Sequence, residues 1–236
     1  MAALGGSDLL ALWETGSPRH GLDRALLLGA LARPDLPAGC LADLPLGALN
    51  EALLRMRSAM FGERIPAWVG CERCGERLEL ALDADILLGA ACDSDTRPEL
   101  ELAGFRFRAP STRDLAAVAA ERDTTVAALR LLGLCCMARP ADPAAALEPL
   151  LDDAAIGLAA LDPTAEFTLD LACEVCAHRW SAPFDIGALL WEEVAARARA
   201  LLDEVHLLAH AYGWSEAEIL ALSERRRAAY LDRVCA

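Results

Sequence analysis

Cys71-Glu72-Arg73-Cys74 and Cys173-Glu174-Val175-Cys176 are the residues of this chain whose types and spacing most plainly do chemistry. A two-residue spacing lets one tight turn direct two thiolates at one metal, while nearby backbone amides hydrogen-bond the sulfurs. Two such turns face to face supply the four sulfurs of a tetrahedral structural zinc site. The expectation is therefore one Zn2+ held by Cys71, Cys74, Cys173 and Cys176. Four thiolates leave no open coordination position, so the ion would be structural rather than catalytic. Between Cys74 and Cys173 lie 98 residues, far more than in an ordinary zinc ribbon, so this would be a ribbon carrying a long, largely helical insertion.

The residue after the second ligand of such a turn often needs a left-handed backbone, which Gly75 adopts without strain. Ala177 occupies the equivalent position and would cost about 1 kcal/mol if the same conformation were required. His178 is close enough to be an alternative ligand, although an exposed turn histidine is the plainer reading. Two alternatives remain for the cysteine pairs: simple reduced dithiols, or a redox site. A thioredoxin-like CxxC opens a helix and has lowered thiol pKa values, whereas strand-like residues follow both pairs here, which makes redox chemistry the weaker reading.

Other candidates carry less. Cys135-Cys136 lies in an apolar helical run and reads as core; Cys40, Cys92 and Cys235 show no partner spacing. His206 and His210 stand one helical turn apart, but Leu207 occupies the position where HExxH requires glutamate. There is no P-loop, no GxGxxG after a strand and no GxSxG. Asp152-Asp153 and Glu192-Glu193 are neighbours on helices that point apart, as solvated faces do. No nucleophile is spaced with a base and an orienting group, so a non-enzyme is expected.

The elements that must position the cysteines follow from periodicity. Within 236 residues, residues 7–62 read as helices, with Ser7 or Asp8 capping the first and a later one running from about Leu46 to Phe61. Residues 66–109 hold the first CxxC turn and β-hairpins: Leu78, Leu80 and Leu82 alternate, and two short strands meet at Ala103-Gly104 with Phe105 and Phe107 on one face. Residues 110–162 are the helical insertion, begun by Ser111 or Thr112 and broken near Asp123, Pro140 and Pro143, after an irregular stretch around 93–98. Residues 163–186 repeat the cysteine texture, with Phe167, Leu169 and Leu171 alternating. In 187–236, Leu190, Val194, Ala198, Leu201, Val205, Leu208 and Tyr212 form one stripe of a long helix, ended by Gly213. Ser215 with Glu218 fits a capping box, and Ser223 can cap a last helix. The fold class expected is α+β in a single domain: a helical N-terminal region, a zinc-ribbon-like β unit split by the insertion, and a long C-terminal helix followed by a short helical hairpin.

Composition narrows the partners. The 22 basic residues are all arginine, against 36 acidic ones, for a formal charge of −14. Phosphate neutralisation supplies most sequence-independent nucleic-acid affinity, which an acidic chain is poorly built for. The mean hydropathy is positive, but Arg24 and Arg33 bracket Ala25 to Ala32 and Arg130 and Arg139 bracket Leu131 to Ala138, far short of the roughly 18–20 apolar residues a spanning helix needs. The N-terminal stretch lacks the basic region of a secretory signal, so a cytoplasmic location is the default expectation. An odd count of nine cysteines argues against complete disulfide pairing.

The C-terminal run HLLAHAYGWSEAEILALSERRRAAYLDRV, the two strand-flanked CxxC turns and the segment FRFRAPSTRDLAAVA together resemble bacterial T4-type baseplate hub assembly chaperones of contractile phage tails and phage-tail-like contractile injection systems. The resemblance runs from roughly Asp8 to Val234 and is most specific at Gly213-Trp214-Ser215 with Glu218, Ile219, Leu220, Leu222, Arg225 to Arg227 and Tyr230. It implies a non-enzymatic protein that helps assemble, or forms part of, the baseplate hub beside the spike, and that acts in a bacterial or phage-infected cell or stays in the particle. Hub or spike proteins would be its partners, with a homo-oligomer as a further reading. Trp214 and Tyr230 are plausible aromatic anchors, and Arg225, Arg226 and Arg227 a helix-end cation cluster or protein-binding edge. Both aromatics burying within their own hairpin is the competing reading. A zinc-ribbon regulator contacting nucleic acid through Arg225 to Arg227, Arg106 and Arg108 is the rival function, and a dithiol oxidoreductase a third.

Overall fold

Glycine and proline punctuation cuts the start of the chain into α1 (Gly6–Gly16), α2 (Gly21–Ala32), α3 (Ala38–Leu41) and α4 (Leu46–Phe61). The computed structural model describes residues 5–89, 99–140 and 146–234. The stretch expected to be irregular at 93–98, Pro143, Cys92 and Cys235 lie outside them. The first cap differs from expectation: extended Gly5 precedes the helix without a side-chain bond, and Ser7 and Asp8 fall inside the first turn. There the Asp8 carboxylate suits the positive end of the helix dipole.

The positive φ of Gly62 turns the chain out of α4 into β1 (Arg64–Gly70), which pairs antiparallel with β2 (Arg77–Asp83) from Arg64↔Asp83 to Gly70↔Arg77. Asp83 then caps the short α5 (Ala84–Leu88) by accepting from the Asp85 N–H. Strands β3 (Glu99–Leu102) and β4 (Phe105–Arg108) meet at Ala103 and Gly104, whose φ values of +49° and +80° are the paired left-handed residues of a tight hairpin turn. Phe105 and Phe107 share the buried face, with ring centroids 5.8 Å apart. On the other face Arg106 bonds Glu99, and Arg108 makes a bidentate pair with Asp114.

Ser111 and Asp114 form a reciprocal capping box at the start of α6 (Thr112–Val118), and Asp123 caps α7 (Thr124–Cys135). The helix expected to contain both vicinal cysteines ends between them. Cys135 is fully buried, whereas Cys136 begins β5 (Cys136–Ala138), which adds to the β4 edge. A 3-10 turn at Glu148–Leu150 leads into α8 (Leu151–Leu161), followed by the hairpin of β6 (Phe167–Ala172) and β7 (Arg179–Phe184). The chain closes with α9 (Ile186–Tyr212), α10 (Glu216–Leu220) and α11 (Glu224–Val234). The fold is α+β, with small antiparallel sheets among the helices.

Two compact units are distinguished: Leu28–Gly187, and residues up to Leu27 together with those from Ala188 onward. In the first, Phe105, Phe107, Leu132 and Ala154 are buried together, with Leu100, Leu147 and Leu158 against them. A polar clasp ties the end of the insertion to α4, whose own Pro45 provides no side-chain cap. Asp162 Oδ2 accepts the Gly47 N–H at 3.0 Å, and Asn50 donates to the carbonyls of Thr164 and Ala165 at 2.9 and 3.0 Å. Burial raises the Asp162 pKa despite the bonds from Gly47 and Thr164.

In the second unit the α9 stripe is buried from Leu190 through Leu208, while Tyr212 remains 37% exposed. Glu204 links two arginines: Arg197 donates to Oε1 at 2.9 Å and Arg227 to Oε2 at 2.8 Å. Desolvation raises the Glu204 pKa, but the hydrogen bonds from Arg227 and Arg197 outweigh it and the net shift is downward. A lowered folded-state pKa contributes stability above the ordinary glutamate range that is lost as the pH falls through the folded value. Glu204→Gln should therefore cost about 1–3 kcal/mol at pH 7, because Arg227 keeps its burial and loses its counter-charge. In thermal melts the gap from wild type should close only as the pH falls below the ordinary glutamate range and through the lowered folded value, where the wild-type carboxylate is itself protonated.

Candidate metal centre

Each cysteine turn sits between the strands of one hairpin, the first joining β1 to β2 and the second β6 to β7. Strand pairing brings both ends of a turn together, and the backbone bonds are the same in each. The Cys71 N–H donates to the Glu76 carbonyl and the Gly75 N–H to the Cys71 carbonyl, both at 2.8 Å. The Cys173 N–H donates to the His178 carbonyl and the Ala177 N–H to the Cys173 carbonyl, both at 2.9 Å. One local structure is thus built twice.

The residue after the second cysteine is left-handed in both, with φ of +75° at Gly75 and +54° at Ala177. Alanine therefore adopts the conformation expected to need glycine, at a cost of about 1 kcal/mol. An added Cβ at Gly75 would meet nothing within 4 Å, so backbone preference alone separates the two residues there. Ala177→Gly is expected to raise stability, and Gly75→Ala to lower it, each by about 0.5–1 kcal/mol. Melting both variants checks this; the reverse order of Tm values would exclude the strain.

The four sulfurs of Cys71, Cys74, Cys173 and Cys176 lie within 4.8 Å of one another and could hold a metal ion. Cys71 Sγ is 3.6 Å from Cys176 Sγ, and Cys74 Sγ is 3.6 Å from Cys173 Sγ. Those gaps exceed the roughly 2.0 Å of a disulfide bond. They match the edge, about 3.8 Å, of a sulfur tetrahedron built on metal–sulfur bonds of about 2.3 Å. Cys71 and Cys173 are buried, at 3% and 2% exposure, whereas Cys74 is exposed and Cys176 half-buried. The inner pair anchors the site and the outer pair closes it toward solvent.

Charge in the cluster favours a cation. Desolvation raises the Cys71 pKa, but bonds from the backbone N–H groups of Cys74 and Arg73 and from neighbouring thiols bring it down to about 7. At Cys74 a backbone bond from Glu76 lowers the pKa, yet desolvation and the surrounding thiols push it up to about 12. One thiolate forms readily and opposes the next. A metal cation at the centre removes that opposition, and its binding releases protons.

His178 is not part of the sulfur cluster: its ring stacks on Trp180 at 5.5 Å. Beside the first turn, Arg77 lies over the ring of exposed Trp68 at 4.8 Å. Sequence reading left both of these pairs out, because they depend on hairpin geometry; the strand spacing from the cysteines is the signal that would have found them. His206 and His210 are exposed on α9, and among the described residues the cysteine tetrad is the one histidine, cysteine and carboxylate group placed for a metal.

The expected partner residues divide. Trp214 stacks on Tyr212 at 4.7 Å and meets Tyr230 edge-on at 4.9 Å, and both Trp214 and Tyr230 pack against buried Val205, Leu208 and Ile219. Arg225 and Arg226 are exposed. Arg227 is not on that edge: it is buried, bonded to Glu204 and to the Leu222 carbonyl at 2.8 Å.

Among the described residues no helix is long and apolar enough to cross a membrane. Comparison with family models, with curated proteins and with solved structures finds no match for this chain.

Proposed function

We propose that this chain is a non-enzymatic, zinc-tied structural or assembly protein that works through protein surfaces, in the baseplate hub of a contractile tail or injection system. The observation that carries the metal part is the sulfur tetrad, contributed by two hairpins 98 residues apart in sequence. Zinc is the ion suited to four thiolates in a closed tetrahedron, and there it contributes folding energy rather than catalysis. The hub assignment rests on the C-terminal and CxxC sequence resemblance. An ordered aromatic cluster at Trp214 and Tyr230, with Arg225 and Arg226 exposed beside it, is compatible with helix-in-groove docking on a partner. The nucleic-acid reading is weakened because Arg106, Arg108 and Arg227 are engaged with Glu99, Asp114 and Glu204.

Metal analysis of the purified chain tests the first part: one zinc per chain is expected, and a folded chain purified without metal would overturn it. Copurification with hub or spike proteins tests the second. Absence from both assembling and mature particles would overturn the assembly role, and salt-dependent DNA or RNA binding would favour the nucleic-acid rival.

A further inference from the structure

We propose that peroxide converts the tetrad into two disulfides that cross between the hairpins, Cys74–Cys173 and Cys71–Cys176, so that a covalent tie replaces the metal tie. This rests on the metal reading above and concerns how that same site responds to oxidation. All four sulfurs lie within 4.8 Å of one another, and contact together with exposure distinguishes the pairings. Each outer thiol lies 3.6 Å from the inner thiol of the opposite hairpin, Cys74 from Cys173 and Cys176 from Cys71. Cys74 is exposed and Cys176 half-buried, so an oxidant from solvent meets them first, while Cys71 and Cys173 are shielded. An accessible thiol beside a buried one is the arrangement of an attacked cysteine with its resolving partner.

The chemistry balances with hydrogen peroxide as the named oxidant. The Cys74 sulfur, a thiolate in its role as metal ligand, attacks one peroxide oxygen; the O–O bond breaks, a sulfenic acid forms, and the departing hydroxide takes a proton to become water. The Cys173 thiolate then attacks the Cys74 sulfur; the S–S bond forms and a second hydroxide leaves and is protonated. Two electrons pass from two sulfurs to one peroxide, which becomes two waters. A second peroxide does the same at Cys176 and Cys71. The four sulfurs so consumed no longer bind the ion, yet residues 71 and 176, and 74 and 173, remain joined. These links close loops of about 100 residues, whereas disulfides within each CxxC would close loops of four and leave the hairpins untied.

The experiment takes the full chain, measures its metal content, then treats it with excess hydrogen peroxide. Released zinc is read with a colorimetric chelator and disulfides by non-reducing peptide mapping. The expected result is loss of one zinc per two peroxides consumed, with Cys74–Cys173 and Cys71–Cys176 as the linked peptides. Cys74→Ser should leave Cys71–Cys176 as the dominant disulfide. Mapping of Cys71–Cys74 and Cys173–Cys176, pairing with Cys40 or Cys136, or oxidation to sulfinic and sulfonic acids without disulfides would overturn the proposal. If the chain contains no metal at the outset, the zinc reading fails by itself, and the same mapping still decides the crossing pairs.

Discussion

Cys173→Ser is expected to abolish metal retention and to lower the stability of the Leu28–Gly187 unit by several kcal/mol. Cys173 is 2% exposed, and its sulfur is one of four in a closed set, so a weakly binding hydroxyl there leaves three thiolates crowded together without their cation. Apparent binding free energies of structural zinc are about 10–16 kcal/mol in zinc-finger peptides, against about 5–15 kcal/mol for the whole stability of a domain. This unit also has the core around Phe105 and Phe107, so its helices should survive while the two cysteine hairpins lose their tie. Metal analysis and thermal melts with and without chelator are the measurements. Cys40→Ser, at an exposed cysteine outside the tetrad, is the control and should change neither. A Cys173→Ser protein that keeps one ion and the wild-type Tm would remove the tetrad from consideration as the binding site.

Gly47→Ala should be the most damaging single methyl in the chain's polar clasp, at about 3–5 kcal/mol. A Cβ at residue 47 would fall 1.8 Å from Asp162 Oδ1 and 2.3 Å from Thr164 Oγ1, so Asp162 must leave the position from which it accepts the Gly47 N–H. Overpacking costs about 1–3 kcal/mol, and losing a hydrogen bond to a charged group about 1.5–3 more. Asp162→Ala loses the same bond but removes the nearer of the two obstructions, leaving Thr164 Oγ1 for the new methyl to displace. Gly47→Ala combined with Asp162→Ala should therefore cost clearly less than the two separate effects added, which chemical denaturation can read as a coupling energy. Strict additivity would show that the two residues do not meet.

What could be read from sequence was local. The CxxC spacing, the alternation at Leu78, Leu80 and Leu82, the Ser111 and Ser215 caps and the α9 stripe each depend on neighbours within a turn or a strand, and each appears in the structure. What could not be read depends on distant partners. Cys136 begins a strand because the β4 edge at Phe107 is there to pair with it, and the run LRLLGLCCMA offers no break of its own. Arg227 looked like one of three equivalent surface arginines until Glu204, 23 residues earlier, took it inward. The Asp162 clasp spans 115 residues and leaves no trace at either end. Within the tetrad, spacing identified the donors, but only the structure distinguishes inner Cys71 and Cys173 from outer Cys74 and Cys176.

The 98 residues between the cysteine turns also impose an order in time. During synthesis at about 5–20 residues per second, Cys173 leaves the ribosome roughly 5–20 s after Cys74. Over that interval the first hairpin can offer an ion only two sulfurs, and the intervening chain can begin forming its own helices before the site closes. Completion of the tetrad is thus a late event in the birth of the molecule, marking the moment when the insertion is already in place.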